Sequence, residues 1–366
     1  MGRGEKRLWL ALLGLLLAAP LYLSAYHLSL LGRFLALGLA ALGIALIWGQ
    51  GGMLSLGQGV FFGLGGYALA MHLKLVALKP GELPDFMEWT GLASLPWWWA
   101  PFRSGVFALG AVLAVPTLAA GVLGRLVFPK RVGGVYFALL TQALALAFST
   151  FLISQQAYTG GFNGLTNFVS VFGLSVQSGG FQLGLYWASL LFLVGCLALA
   201  RWLLARPFGR ILQAIGESEN RLRFLGYDPA RYKLVAFALA GGMAGIGGAL
   251  FTLHAGVISP AMVGVVPSIE MVVWAAVGGR ESLIGAVIGA LLVNFCKDWI
   301  SSLFPDLWLY AMGSLFIVVV TVLPRGLAGL SLKPAALASL LARLRRDSAK
   351  ATAPAAEGRC EPTRAA

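Results

Sequence analysis

The sequence predicts an all-α fold: a polytopic transmembrane helical bundle of about 10 spans with N and C termini cytoplasmic. Three observations predict it. Hydrophobic residues make up 59% of the 366 and charged residues 11%, against about a quarter in a typical soluble chain. The charges cluster, which leaves apolar runs long enough to cross a bilayer. The basic residues fall on alternate connections between those runs, as they do where Lys and Arg hold loops in the cytoplasm. The formal charge of +13 is therefore an orientation signal, not a nucleic-acid footprint.

In chain order, the spans are expected near 8–26, 34–49, 53–73, 105–127, 134–154, 183–204, 233–255, 268–279, 282–296 and 306–323. Arg3, Lys6 and Arg7 ahead of Leu8–Ala19 have the form of a signal peptide. With further spans following, they read as a start-of-chain anchor. The pair 268–279 and 282–296 is short for a bilayer and is separated by Gly278, Gly279, Arg280 and Glu281. Two short spans and one re-entrant hairpin both remain open there. Loop 155–182 has no Lys or Arg, whereas 205–232 carries Arg206, Arg210, Arg221, Arg223 and Arg231. The first is placed outside and the second inside; Arg3, Lys6, Arg7, Lys130, Arg131 and Arg325 then all fall inside. The 74–104 connection balances Lys74, Lys79 and Arg103 against Glu82, Asp85 and Glu88, which suits an external loop. Residues 1–332 form the transmembrane domain, and 333–366 a cytoplasmic, mostly disordered basic tail with some helix at 335–346.

The residue inventory argues against catalysis. Cys196, Cys296 and Cys360 show no metal or disulfide spacing, and His27, His72 and His254 are scattered. No metal site, catalytic set or phosphate-binding loop emerges, so the chain reads as no enzyme and as binding no cofactor itself. Glycine is abundant at 48 residues, but GGMAGIGGAL at 241–250 spaces Gly241, Gly245 and Ala249 four apart. Small residues at that interval let helices approach closely in lipid.

RPFGRILQAIGESENRLRFLG at 206–226 is polar and basic in an oily chain. Pro207 suits a first helical turn, and Ile211, Ile215 and Leu222 make an apolar stripe. Arg210, Gln213, Glu217, Asn220, Arg221 and Arg223 occupy the rest, and Gly226 suits a left-handed cap. Asp228 and Pro229 give the N-cap and first turn of the next span. Such a helix either rests on headgroups or docks a cytoplasmic partner.

FGRILQAIGESENRLRFLGYDPARYKLVAFALAGGMAGIGGAL resembles the coupling-loop region, here about 205–228, of ABC importer permeases of the branched-chain amino acid class. GGMLSLGQGVFFGLGGYALA, GVYFALLTQALA, TGGFNGLT and VGGRESLIGAVIGALLVN resemble further segments of the same family, from about residue 34 to 330. The resemblance implies that Gly209, Arg210, Ala214, Glu217, Arg221 and Gly226 form a seat on an ATPase subunit. It also implies two ABC ATPases carrying ATP and Mg, a second homologous permease subunit, a periplasmic binding protein and an inner-membrane location. LPDFMEWTGLASLPWWWAPFRS, SIEMVVWAAVGG and FPDLWLYAMGSLFIVVVTVLPRGL resemble the C-subunit permeases of urea ABC transporters. That similarity implies urea as substrate, with branched-chain amino acids as the alternative and a passive urea or small-amide channel as a second. Family members usually carry His at Gln58, Asp at Asn167, Arg at Gly216 and Gly at Glu281.

A neutral solute such as urea needs amide and hydroxyl groups along its path. Ser55, Gln58, Thr141, Gln142 and Asn163 are candidate pathway residues, each of which could equally staple or cap local structure. Glu270, a carboxylate at membrane depth, is the sixth candidate; capping its own helix start is the competing role. GGMLSLG at 51–57 and GGRESLIG at 278–285 share GG-x-x-S-L, a trace of internal symmetry.

Overall fold

A computed structural model describes residues 3–79, 82–92, 94–168, 170–171, 174–175, 178–304, 310, 313–315, 317, 321 and 326–331. Among them, eight helices are long and apolar enough to cross a membrane, and Trp9–Tyr22 is a shorter apolar one. Helix α1 (Arg3–Tyr22) is followed by α2 (Ala25–Ile44), which continues into a π-helical turn, Ala45–Gln50. Then come α3 (Gln58–Val76), the short α4 (Asp85–Trp89), α5 (Gly105–Val127), α6 (Gly134–Ser154) and the single turn α7 (Gln156–Thr159). Helices α8 (Gly179–Ala205), α9 (Pro207–Phe224), α10 (Pro229–Ala255), α11 (Val265–Gly278), α12 (Leu283–Leu303) and α13 (Gly326–Ser331) complete the series. The expected span 306–323 falls mostly outside the described residues, as do the tail 333–366 and its helix at 335–346.

Two expected boundaries move for one reason: a polar side chain that ends the apolar run lies inside the helix. Helix α2 starts at Ala25, not 34, because Arg33 is carried within it and its Nε donates to the His254 carbonyl at 3.2 Å. Helix α12 runs on to Leu303 past Lys297, whose Nζ meets Glu270 of α11 at 2.8 Å. Helix α11 starts at Val265 after a 3-10 turn, Pro260–Met262, and tolerates Pro267 because first-turn amides need no intrahelical partner. The pair left open by the sequence is thus two helical stretches of spanning length, Pro260–Gly278 and Leu283–Leu303, joined by a tight turn.

The core gathers on α10, which packs against α2, α3 and α5. Close approach there requires glycine. A Cβ at Gly248 would lie 1.8 Å from the Phe62 carbonyl oxygen of α3, and one at Gly65 would lie 2.0 Å from that of Gly245. The four-residue spacing of GGMAGIGGAL does what it predicts: Gly241 and Gly245 face Pro116 and Ala120 of α5. The Phe61, Phe128, Phe137 and Phe237 rings fill the space beside this seam, edge to face or tilted. Helices α5 and α6 leave most of their apolar surface uncovered, with Leu109, Leu118, Val122, Leu139 and Leu146 exposed.

Among the described residues, four two-residue strands occur: β1 (Leu165–Thr166), β2 (Ser170–Val171), β3 (Leu174–Ser175) and β4 (Val257–Ile258). β1 pairs antiparallel with β4, Leu165 opposite Ile258, and β2 with β3. The β1–β4 ladder ties the connection after α6 to the connection after α10.

Candidate functional site

Helix α9 begins and ends as its residues dictate. Pro207 is its first residue. At the other end Gly226 takes φ 84°, its N–H bonds the Arg223 carbonyl at 2.9 Å, and the Tyr227 N–H reaches that of Leu222 at 3.2 Å. Asp228 Oδ1 then caps α10 by accepting from the Ala230 N–H at 3.1 Å. The helix is not one rod, however. Ser218, at φ −160° and ψ 97°, breaks it into an arm at 207–217 and an arm ending at Phe224. The break also corrects the apolar stripe: Leu212, Ile215 and Leu222 are buried, while Ile211 is only half-buried.

The second arm is anchored. Glu219 takes Lys233 of α10 and Arg223 of its own arm, the latter at 2.5 Å. Burial opposes ionisation of Glu219, but hydrogen bonds and charge from Lys233 and then Arg223 outweigh it and hold the carboxyl below the ordinary carboxylate range. The first arm is tied elsewhere. Gln213 Nε2 donates to Gln50 Oε1 at 2.7 Å, and Gln50 Nε2 donates onward to the Glu281 carbonyl at 2.9 Å. Arg280 lies over the Trp48 ring, 5.5 Å from its centroid. A cleft of about 710 Å³ opens among these three segments.

Of the predicted seat, Arg210, Glu217 and Arg221 are exposed, as docking requires, and so is Gly226. Ala214 is half-buried. Gly209 is buried against Leu204, where a Cβ would lie 2.3 Å from the carbonyl oxygen, so it lets the helix turn away from α8.

The segment Gly51–Gly57 between the π-turn and α3 is non-helical, a break within the bundle. Its first amides, of Gly51, Gly52 and Met53, bond back to the Ile47 and Trp48 carbonyls, whereas Leu56 N–H donates to Thr141 Oγ1 of α6 at 3.0 Å and, within α3, Gly59 N–H to Ser268 Oγ of α11 at 3.1 Å. Ser55 is fully buried in the break and accepts the Gly57 N–H at 3.5 Å, not a bond within a helix. Gln58 Nε2 donates to the Ala240 carbonyl of α10 at 2.9 Å, and its buried Oε1 has no partner among the described residues. Ser55, Gln58 and Thr141 therefore share one region. Gln142 is half-buried on α6, and Asn163 is exposed at the far end, in the 3-10 turn Gly161–Asn163. Glu270 sits six residues into α11 and binds Lys297, so it does not cap its helix.

Sequence reasoning missed Gln50, Arg280 and Lys297. The shared GG-x-x-S-L pattern, which contains Arg280 and begins one residue after Gln50, was the available signal for the first two. The residues just ahead of the first copy meet the second copy, since a Cβ at Gly49 would lie 1.7 Å from the Arg280 carbonyl oxygen.

Residues 26–321 match the family described as branched-chain amino acid transport system / permease component. The chain is 27% identical over 332 residues to the high-affinity branched-chain amino acid transport system permease protein LivM of Escherichia coli K12, covering 88% of this chain and 75% of LivM. It is 24% identical over 299 residues to the corresponding protein BraD of Pseudomonas aeruginosa, covering 80% and 91%. It is 28% identical over 137 residues to LivH of E. coli K12, covering 36% and 43%. No solved structure matches the chain. A bundle of spanning helices, matched over residues 26–321, makes this chain a multi-pass membrane protein that belongs to the permease-component family of branched-chain amino acid transport systems.

Proposed function

We propose that this chain is a permease subunit of an ATP-driven ABC importer that moves urea across the bacterial inner membrane. The observation that carries the importer reading is the exposed face of α9, whose first arm is hydrogen-bonded through Gln213 and Gln50 to the α11–α12 turn. In this reading the α9 end and both termini are cytoplasmic, as the basic residues Arg206, Arg210, Arg221, Arg223 and Arg231 require. A second homologous permease subunit completes the pathway, two ATPases holding ATP and Mg dock on α9, and a periplasmic binding protein delivers the solute. The similarity to both LivM and LivH, two permease proteins of one named system, supports a paired arrangement.

Closure of the ATPases pushes on Arg210, Glu217 and Arg221. The second arm carries that push into α10 through Glu219 and Lys233, and the first carries it to α2 and the α11–α12 turn. The two paths let one push rock two groups of helices, which exposes the pathway on alternate sides. Ser55, Gln58, Thr141 and Gln142 supply hydroxyl and amide groups for a neutral solute, and Asn163 stands at the outer mouth. Glu270 adds no net charge, because Lys297 balances it.

Urea is favoured by the 83–104 connection and by 304–327, which resemble urea permeases. The second reading, a branched-chain amino acid importer, is favoured by LivM and BraD. Uptake of labelled urea and labelled leucine into proteoliposomes holding the chain with its second permease, ATPases and binding protein tests both. ATP-dependent urea uptake without leucine uptake supports urea. Leucine uptake overturns the substrate and keeps the importer, and urea flux without ATP overturns the importer in favour of a channel.

A further inference from the structure

At the end opposite α9, a cavity of about 440 Å³ lies between α4 and the connection that follows α6. Lys74, Asp85, Trp89, Gln156, Asn163 and Asn167 line it. Asp85 and Trp89 come from LPDFMEWTGLASLPWWWAPFRS, one of the stretches that set this chain's resemblance apart within its family. The opposing wall is held in one shape. Gly160, Gly161, Gly164 and Asn167 all take positive φ, and a Cβ at Gly164 would lie 2.0 Å from the Ile258 carbonyl oxygen. Thr159 Oγ1 donates to the Leu152 carbonyl at 2.7 Å, and the β1–β4 ladder pins the segment's far side.

The lining is rich in hydrogen-bonding groups and has no net charge. Lys74 and Asp85 stand 3.4 Å apart, a long contact that leaves both able to bond elsewhere. Three carboxamides each offer a C=O acceptor and an NH2 donor. Trp89, 85% exposed, offers a flat apolar face.

We propose that this cavity is a receiving site for a small, neutral, planar amide of the urea class, occupied between release from the binding protein and passage inward. Urea presents one strong acceptor and two NH2 groups in a plane. Lys74 and the carboxamide NH2 groups meet its oxygen, Asp85 and the carboxamide oxygens meet its N–H groups, and the Trp89 face covers the plane. The shape held by the glycine turn keeps these groups in place before the solute arrives, which lowers the cost of binding. The proposal rests on the urea-import reading.

The test is saturation-transfer NMR on the full chain paired with its second permease in nanodiscs, without binding protein, using urea, acetamide and leucine as probes. ATP-driven urea uptake is measured in parallel. Urea and acetamide give transfer, leucine does not, and Asn163→Ala and Asp85→Asn each cut the urea signal several-fold and raise the apparent KM of uptake. Phe162→Ala, on the same turn but outside the lining, leaves the signal unchanged. ATP-driven urea uptake with no urea transfer overturns the site and leaves the importer standing. Transfer from leucine with none from urea overturns the ligand class. Urea transfer lost in both variants, in a complex that shows no ATP-driven urea uptake, overturns the import reading and keeps the site.

Discussion

Gly49→Ala tests whether the contact between α2 and the α11–α12 turn carries motion. The new Cβ would lie 1.7 Å from the Arg280 carbonyl oxygen and 2.6 Å from its carbon, both backbone atoms that no side-chain rotation can move. Cβ atoms essentially never approach within 3.0 Å of another heavy atom, so the two segments must part by about 1.3 Å. The Gln50–Glu281 bond, now 2.9 Å, then stretches past the limit of about 3.5 Å, and the Arg280–Trp48 contact opens with it. Overpacking costs about 1–3 kcal/mol and the lost hydrogen bond about 1 kcal/mol. At about 1.4 kcal/mol per decade, a contact needed in one state of the cycle and lost by that amount slows uptake tenfold or more. The assay is ATP hydrolysis and labelled-urea uptake in the same proteoliposomes. Hydrolysis is expected to persist while uptake falls, and Gln50→Ala, which removes only hydrogen bonds, should give a smaller loss. Gly14→Ala is the control, since a Cβ there meets nothing within 4 Å. A fully assembled Gly49→Ala complex with unchanged uptake would refute the reasoning.

Three further outcomes follow from the same contacts. Gly248→Ala forces a Cβ to 1.8 Å from the Phe62 carbonyl oxygen, so it should abolish a monodisperse peak in size-exclusion chromatography, whereas Gly195→Ala, with open space around it, should not. Glu270→Ala removes the carboxylate that Lys297 meets at 2.8 Å and should lower the melting temperature, while Glu270→Gln with Lys297→Met recovers most of the loss; an equal loss in single and double variants would show that the pair does not matter. Because Glu219 is held below its ordinary value of 4.5, the contribution of its ion pairs is fully present above that value and is lost as pH falls through the lower folded one. Tryptic cleavage near Arg223 should stay slow from pH 7 down to 5 in wild type, with trypsin-only controls at each pH, and should be fast throughout in Glu219→Gln.

The spans were readable because apolar length is a local property, and the caps of α9 and α10 because Pro207, Gly226, Asp228 and Pro229 act within a few residues. The errors have a common source. Arg33 and Lys297 read as boundaries because their partners, the His254 carbonyl and Glu270, lie on other helices. The break at Ser218 has no local signal; GESEN contains nothing that forbids a helix, and the bend coincides with Glu219 reaching Lys233 on α10. For the site, local reading found Arg210, Glu217 and Arg221 on an exposed face but not Gln50, which matters only because folding sets it between Gln213 and Glu281. Ser55, Gln58 and Thr141 signal only polarity in the sequence and lie together because the chain is non-helical at 51–57. Lys74 and Asp85 looked like ordinary loop charges until α4 faced the glycine turn.

That non-helical stretch also constrains the order of biogenesis. Synthesis runs from the N-terminus, so Leu56, Gln58 and Gly59 leave the ribosome long before the groups that satisfy them. Leu56 waits for Thr141, Gln58 for Ala240, and Gly59 for Ser268, a gap of 209 residues. Unmatched backbone amides are costly in hydrocarbon, so the first helices must be held near water or within the insertion machinery until α11 arrives. A truncated chain ending before α11 should therefore remain bound to that machinery instead of partitioning into lipid, and crosslinking to it would record the delay.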